Sequence, residues 1–140
     1  MHSLPLRLVP GDDLRSTLEA HARRTFPYGA FVVCGIGSLG DVRLRHAGAD
    51  EAVRLAGVHE ILTLSGTVTP QGAHLHMSVS SASGEVRGGH VVAGNRVRTT
   101  AEVLLVELTG WRLSRVPDDA TGYPELTVRS AAARPAPPGA

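Results

Sequence analysis

The sequence predicts an α/β fold of the α+β type, in which one main helix near the N-terminus packs on a mostly antiparallel β-sheet. Three observations favour this class. Helical periodicity is clear over one stretch only, alternating or β-branched runs follow from residue 30 onward, and turn residues separate those runs at short intervals. Because 140 residues are enough for one hydrophobic core but not for two, we expect a single domain.

The first part of the chain predicts a strand, the helix and two more strands. LPLRLV alternates as a short strand does, and PGDDLRSTLEAHARRTF then begins with Asp12 or Asp13 as a helix N-cap. AFVVCGIGS is apolar and β-branched like a buried strand, whereas DVRLRHA alternates like a half-exposed one. The apolar residues of the helix recur at spacing four: Leu14, Leu18 and Ala22.

The remainder of the chain continues as strands separated by turns. We expect strands in EAVRLA, VHEILTLSGTVTP, AHLHMSVS, EVRGGHVVAG and VRTTAEVLLVEL, and a short closing strand at 125–129. The final segment, SAAARPAPPGA, has the composition of a flexible tail. The sequence therefore predicts a folded domain over residues 1–129 and a tail over residues 130–140.

Composition and charge exclude several classes of protein. Hydrophobic residues make up 42% of the chain and charged residues 19%, which is typical of a globular domain and not of a disordered one. The fourteen basic residues, all arginine, face thirteen acids with no run of like charge, so charge alone gives weak support for nucleic-acid binding. No apolar stretch is long enough for a membrane span or a signal peptide, and we expect a cytoplasmic protein without a membrane partner.

The run AFVVCGIGSLG contains two features with structural rather than chemical interpretations. Cys34 lies among apolar residues, where a buried small hydrophobe is its expected role. GIGSLG, residues 35–40, fits the G-x-G-x-x-G pattern of dinucleotide-binding loops. That pattern requires a helix after the last glycine, and DVRLRHA has strand period instead, so we expect a tight turn between two strands.

The histidines of GAHLHMSVSSASGEVRGGH form the main candidate site. His74 and His76 are two residues apart on a predicted strand and so project from one face, at a spacing that lets two imidazoles bind one ion. A hairpin turn centred between Ala82 and Ser83 would send His90 to the opposite face, so we expect a bulge at Gly88-Gly89 to bring it back. The alternative is three ordinary polar side chains. The other histidines are expected at the surface: His2, His21, His46 and His59.

Two glutamates are candidate catalytic residues. Glu60 shares a predicted strand face with Leu62 and Leu64, so we expect it to be buried, and a buried carboxylate needs a partner or a proton. An ion pair with an arginine at a strand end is the alternative. Glu102 shares a face with Arg98, which suggests a cross-strand salt bridge, or else a general base beside a metal with an open coordination position.

In their order along the chain, GIGSLGDVRLR, HEILTLSGTV, GAHLHMSVSSASGEVRGGHVVAG and VRTTAEVLL resemble the plants and prokaryotes conserved (PPC) domain family, in particular its stand-alone prokaryotic members. The resemblance covers roughly residues 4–110. It implies an α/β domain that assembles as a homotrimer. It also implies a metal site at His74, His76 and His90, with the acids of the EIL and TTAE motifs at Glu60 and Glu102.

The same resemblance leaves two classes of function open. Plant members carry AT-hook segments for A·T-rich DNA, but this sequence has no R-G-R-P motif, so the usual reason for DNA binding is missing. We therefore expect a homotrimeric module that binds a divalent metal, zinc, with a regulatory role toward DNA or a protein partner. The alternative is a zinc-dependent hydrolase acting on a small polar molecule, with Glu102 or Glu60 handling protons.

Overall fold

The structure, a computed structural model, describes residues 1–131. It confirms the predicted class, since ten strands accompany one helix within those residues. The predicted tail, residues 130–140, lies almost wholly outside the described part of the chain. In chain order the elements are β1 (His2–Leu8), α1 (Leu14–Thr25), β2 (Ala30–Leu39), β3 (Val42–Arg45), β4 (Ala52–Leu55), β5 (His59–Thr69), β6 (Gly72–Ser81), β7 (Val86–Val91), β8 (Val97–Glu107), β9 (Trp111–Pro117) and β10 (Pro124–Ser130).

Eight of these strands form one sheet, in the order β1-β8-β2-β5-β6-β7-β3-β4, and every pairing in it is antiparallel. Strands β5, β6 and β7 are neighbours both in sequence and in the sheet, so two short turns place their side chains in a defined register. β9 and β10 form a separate two-stranded hairpin.

Helix α1 begins where the sequence predicts. Asp13 is the N-cap, with its side chain accepting a hydrogen bond from the amide of Ser16. The residues at spacing four are buried, and the helix packs on β5, β6 and β8. A fully buried leucine contributes about 2 kcal/mol of hydrophobic free energy, so this apolar face holds the helix on the sheet. The core combines Leu14, Leu18 and Ala22 of the helix with Leu64, Val68, Leu75, Met77, Val79 and Leu105 of the sheet.

Strand β2 corrects both expectations for AFVVCGIGSLG. The strand continues to Leu39, so the turn falls at Gly40 and Asp41, and the expected turn within 35–40 was placed too early. Cys34 is exposed rather than buried. The reason is a register shift against β8 between Val32 and Cys34, which breaks the alternation on which the burial prediction relied.

Strand β5 corrects the expectation that Glu60 is buried. A register shift against β6 separates Ile61 from Thr63, so Leu64 faces the core although Glu60 and Leu62 are exposed. His59 takes the inward position instead and is only 5% exposed, which contradicts its expected place at the surface. Its Nδ1 lies 3.2 Å from the carbonyl oxygen of Gly57.

The β6–β7 hairpin places His90 on the predicted face through the length of its loop and not through the expected bulge. His76 lies opposite His90, and the pairing continues without a shift to Ser80 and Val86. The turn holds three residues between Ser81 and Glu85, with Gly84 at φ +82°, where a side chain would be strained. The odd loop length therefore fixes the register. Gly89 has a different role: because it has no side chain, strand β3 can pair closely with β7. A Cβ on Gly89 would lie 2.9 Å from the Arg45 carbonyl oxygen.

The β9–β10 hairpin folds back onto the rest of the domain. The amide of Leu113 donates to the carbonyl of Tyr28, the amide of Arg115 donates to Oε1 of Gln71, and the Leu113 side chain is buried. β10 agrees with the expected closing strand at 125–129. Within residues 1–131, no helix is both long and apolar enough to cross a membrane.

Candidate metal centre

Three histidines lie together on the outer surface of strands β6 and β7. His74 and His76 are two residues apart on β6, and His90 is the direct cross-strand neighbour of His76. The ring centroid of His74 lies 5.1 Å from the centroid of His76 and 5.1 Å from that of His90. The centroids of His76 and His90 are 5.6 Å apart. Each ring offers one nitrogen such that the three nitrogens lie within 4.8 Å of one another. The predicted histidines thus form one cluster.

This geometry fits a small transition-metal ion. Two nitrogens bound to zinc at tetrahedral angles are about 3.3 Å apart. Nε2 of His74 and Nε2 of His76 are 3.3 Å apart, a distance that also suits a hydrogen bond between a protonated and an unprotonated ring nitrogen. Imidazole nitrogens are ligands that zinc, copper and nickel prefer.

The surroundings keep two of the three histidines neutral. Burial lowers the pKa of His90 to about 4, assisted by the nearby His74 ring and the Arg45 guanidinium. Burial also lowers the pKa of His74, and the charge of Arg115 acts in the same direction. A neutral imidazole has the lone pair that metal coordination requires, so near pH 7 His74 and His90 are in the protonation state that binds a metal.

Neighbouring strands hold the histidines in place. Thr67 and Ser65 of β5 lie opposite His74 and His76. Between them Gly66, at φ +146°, faces Leu75, and a Cβ on Gly66 would lie 2.0 Å from the carbonyl oxygen of His74. Only glycine permits this approach of β5 to β6. The backbone at His74 is therefore fixed by a residue that has no side chain.

The structure does not bring the two candidate catalytic acids to this cluster. Glu60 is exposed and lies opposite Ser80. Ser80 is four residues from His76 on β6, which corresponds to about 13 Å along the strand. Glu102 is exposed on β8, opposite Arg7 and Ile36, and three strand spacings, about 14 Å, separate β8 from β6. The cluster therefore contains the three predicted histidines without either predicted glutamate.

Several charged residues beside the histidines did not emerge from the sequence. Glu125 of β10 lines a cavity together with His74, and its negative charge partly opposes the lowering of the His74 pKa. Arg115 of β9 and Arg45 of β3 line the same cavity. The alternation in W-R-L-S-R indicates a strand, but no sequence pattern shows that the hairpin after residue 110 folds back onto β6.

The fold and the cluster define a small α+β domain with a surface triad of histidines. Residues 1–109 match the Plants and Prokaryotes Conserved (PCC) domain, and the chain belongs to that family, as its motifs indicate. A protein of known structure from Salmonella enterica is 38% identical, with a TM-score of 0.89 over 93% of this chain and 94% of that one. A second, from Archaeoglobus fulgidus and described as metal-containing, is 27% identical, with a TM-score of 0.77 over 91% of this chain and 94% of that one.

Longer proteins also contain a similar segment. The bifunctional protein GlmU of a Synechococcus strain is 44% identical over 128 residues, which cover 91% of this chain and 21% of that protein. The AT-hook motif nuclear-localized protein 21 of Arabidopsis thaliana is 31% identical over 120 residues, covering 81% of this chain and 42% of that protein. The chain thus spans about a fifth of the GlmU relatives and under half of the plant one.

Proposed function

We propose that the protein is a cytoplasmic, homotrimeric metal-binding module whose ligands to a divalent ion, zinc, are His74, His76 and His90. The observation that carries this proposal is the convergence of three imidazole nitrogens within 4.8 Å on two paired strands. The similarity to a metal-containing protein of Archaeoglobus fulgidus supports it.

The donor set favours zinc for a chemical reason. Three histidine nitrogens without a thiolate are a ligand set used by zinc, which accepts a fourth ligand from solvent or from a small molecule. When bound in this way, zinc supplies Lewis acidity. The residues of this chain would hold the ion on the β6–β7 hairpin, next to a cavity whose wall includes Arg45, Arg115 and Glu125.

The geometry favours a binding module over the hydrolase alternative. That alternative relied on Glu60 or Glu102 to move protons, and both lie more than a side-chain length from the histidines. A general base must come within hydrogen-bond reach of the group from which it takes a proton. Glu125 and Asp50 are the carboxylates that line a cavity with His74.

Metal content per subunit tests the proposal, measured by elemental analysis on tag-free protein after zinc loading and gel filtration. We expect about one zinc per chain in the native protein. The variant His76→Ala should lose it, because two ligands bind zinc far more weakly than three. His21→Ala, a substitution on helix α1 outside the cluster, is the matched control and should retain zinc. A native protein that retains no zinc would refute the proposal.

A regulatory role toward DNA is a second candidate, supported by the similarity to an AT-hook nuclear-localized protein. The chain itself lacks an AT-hook motif and carries a net charge of only +1. Any DNA contact would therefore come from the folded domain and weaken steeply with salt. A gel-shift titration with A·T-rich duplex DNA at 50 and at 200 mM salt tests this role, because the Debye length falls about twofold between the two salt concentrations. Absence of a shift at the lower salt would exclude it.

A further inference from the structure

A cavity lies beside the histidine cluster, between the main sheet and the β9–β10 hairpin. Its volume is about 720 Å³, and His74 and His90 form part of its wall. Small-molecule binding sites typically have volumes of roughly 300 to 1,000 Å³. A molecule in this cavity would touch two of the three histidines, so the cavity and the cluster constitute one site.

The positive charges of the cavity wall are unequally neutralised. Arg15 is committed to the fold, because it pairs with Glu19 and donates to the carbonyls of Val91 and Ala73. Arg45 and Arg115 also line the cavity. In the described part of the chain, neither has a carboxylate oxygen within 4.0 Å. Arg45 donates one hydrogen bond, to the carbonyl of Ala49 at 3.3 Å. The charges of both guanidinium groups thus remain available to an anion.

Arg115 is held in a fixed position. One of its terminal nitrogens donates to Oγ1 of Thr67 at 2.9 Å, and the other donates to the carbonyl of Pro124 at 3.2 Å. Its Nε is buried and has no partner among residues 1–131. A guanidinium that is oriented before binding loses little entropy when it contacts a carboxylate or a phosphate, and both of these anions match its planar donor geometry.

The hairpin that supplies Arg115 lies after the part of the chain matched by the family, residues 1–109. It also supplies Tyr123, Pro124 and Glu125 to the wall. Asp50, between β3 and β4, also lines the cavity, so the wall holds two carboxylates. They disfavour a ligand that is purely anionic, but each accepts a hydrogen bond from a hydroxyl or an amine. The wall therefore combines anion-binding arginines with hydrogen-bond acceptors.

We infer that this cavity binds a small carboxylate or phosphate compound that also carries hydroxyl groups, with Arg45 and Arg115 holding the anion and Glu125 accepting a hydroxyl hydrogen bond. The inference rests on the proposed metal site, since the ligand would lie beside His74 and His90. The β9–β10 hairpin is then the element that determines which compound is accepted.

The test is an NMR titration of ¹⁵N-labelled full-length protein loaded with zinc. The probes are lactate and glycerol 3-phosphate, each compared with its neutral counterpart, lactamide and glycerol. We expect saturable shifts at cavity residues with at least one anion, and binding about tenfold weaker or absent with its neutral counterpart. The anion that binds distinguishes carboxylate from phosphate. Failure of both anions would overturn the inference.

Variants separate the inference from the proposal on which it rests. Arg115→Gln and Arg45→Gln should each weaken anion binding by about tenfold while zinc affinity, measured separately by calorimetry, stays unchanged. Arg129→Gln, on the same hairpin but outside the cavity, is the control and should bind as the native protein does. Anion binding unaffected in both arginine variants would overturn the inference alone, whereas failure of the native protein to bind zinc would overturn both. If Arg115→Gln loses its dispersed spectrum, Arg45→Gln decides.

Discussion

Asp13 connects the start of helix α1 to the turn before β8. Its carboxylate accepts hydrogen bonds from the amide and hydroxyl of Ser16 and from the amide of Gly94 at 2.6 Å. Burial by itself raises the pKa of this carboxyl, but the hydrogen bonds from Ser16 and Gly94, together with the charge of Arg96, outweigh that effect and the pKa lies below its usual 3.8. The ionised form is therefore the one that stabilises the fold.

Replacement of Asp13 by alanine should lower the free energy of unfolding by about 1 to 2 kcal/mol at pH 7. Because the folded pKa is lower than the unfolded one, this contribution is present above about pH 4 and disappears as the pH falls through the folded pKa. Urea unfolding of both proteins at pH 7 and at pH 3 measures the difference.

Asparagine at the same position provides the control. Asp13→Asn retains a cap that accepts hydrogen bonds but has no charge, so it should lie between the native protein and Asp13→Ala at pH 7. It should also show none of the pH dependence assigned to this carboxyl. Equal midpoints for the native protein and Asp13→Ala at pH 7 would contradict the role assigned to Asp13.

Single residues of the candidate site differ in how far the sequence alone predicts them. The spacing of His74 and His76 on an alternating strand is local, and the structure places both on one face as expected. His90 depends on a turn whose length the sequence does not state, so its face was predicted through a bulge that is absent. Arg45 and Arg115 come from distant elements, and only tertiary packing brings them to the histidines.

At the scale of elements, regular sequence patterns correctly predicted where the helix and strands lie. The interruptions within strands were not predicted, and side-chain burial was wrong where they occur. Helix α1 and the closing strand β10 follow directly from capping and alternation. The misplaced burial of Glu60, His59 and Cys34 has one cause, which is a register shift within a strand. A bulge moves every later side chain to the other face, and no local composition marks these two bulges.

The two hairpins near the site have distinct structural roles. β6–β7 carries all three histidines and sets their separation through its three-residue loop. β9–β10 contributes none of them, but it forms one wall of the cavity and orients Arg115. If both proposals hold, substitutions in the first hairpin affect metal binding and substitutions in the second affect the choice of ligand.

At the scale of the whole molecule, neighbouring strands β2 and β5 leave large apolar side chains exposed. Val33, Ile36 and Leu62 are 53%, 57% and 46% exposed. A groove beside them is lined by Cys34 and Leu104. Apolar surface of this kind is typical of a face that another subunit covers, so it is the face we assign to the subunit contacts of the proposed homotrimer.

Light scattering coupled to gel filtration should give a mass three times the 14.7 kDa of one chain. Ile36→Asp should shift the protein toward the monomer, because an unpaired carboxylate is costly to bury in an apolar interface. Val128→Asp, which alters a valine on β10 that is 49% exposed, is the control and should remain trimeric. A native protein with the mass of one chain would contradict the assembly, and a trimeric Ile36→Asp would place its interface elsewhere.

The central claim is that the triad of histidines binds one metal ion. Anomalous diffraction at the zinc absorption edge, from crystals of zinc-loaded protein, tests it most directly. The account predicts one strong peak per chain, about 2.0 to 2.1 Å from a ring nitrogen of each of His74, His76 and His90. A map with no peak at the triad, or with zinc bound only at other residues, would contradict it.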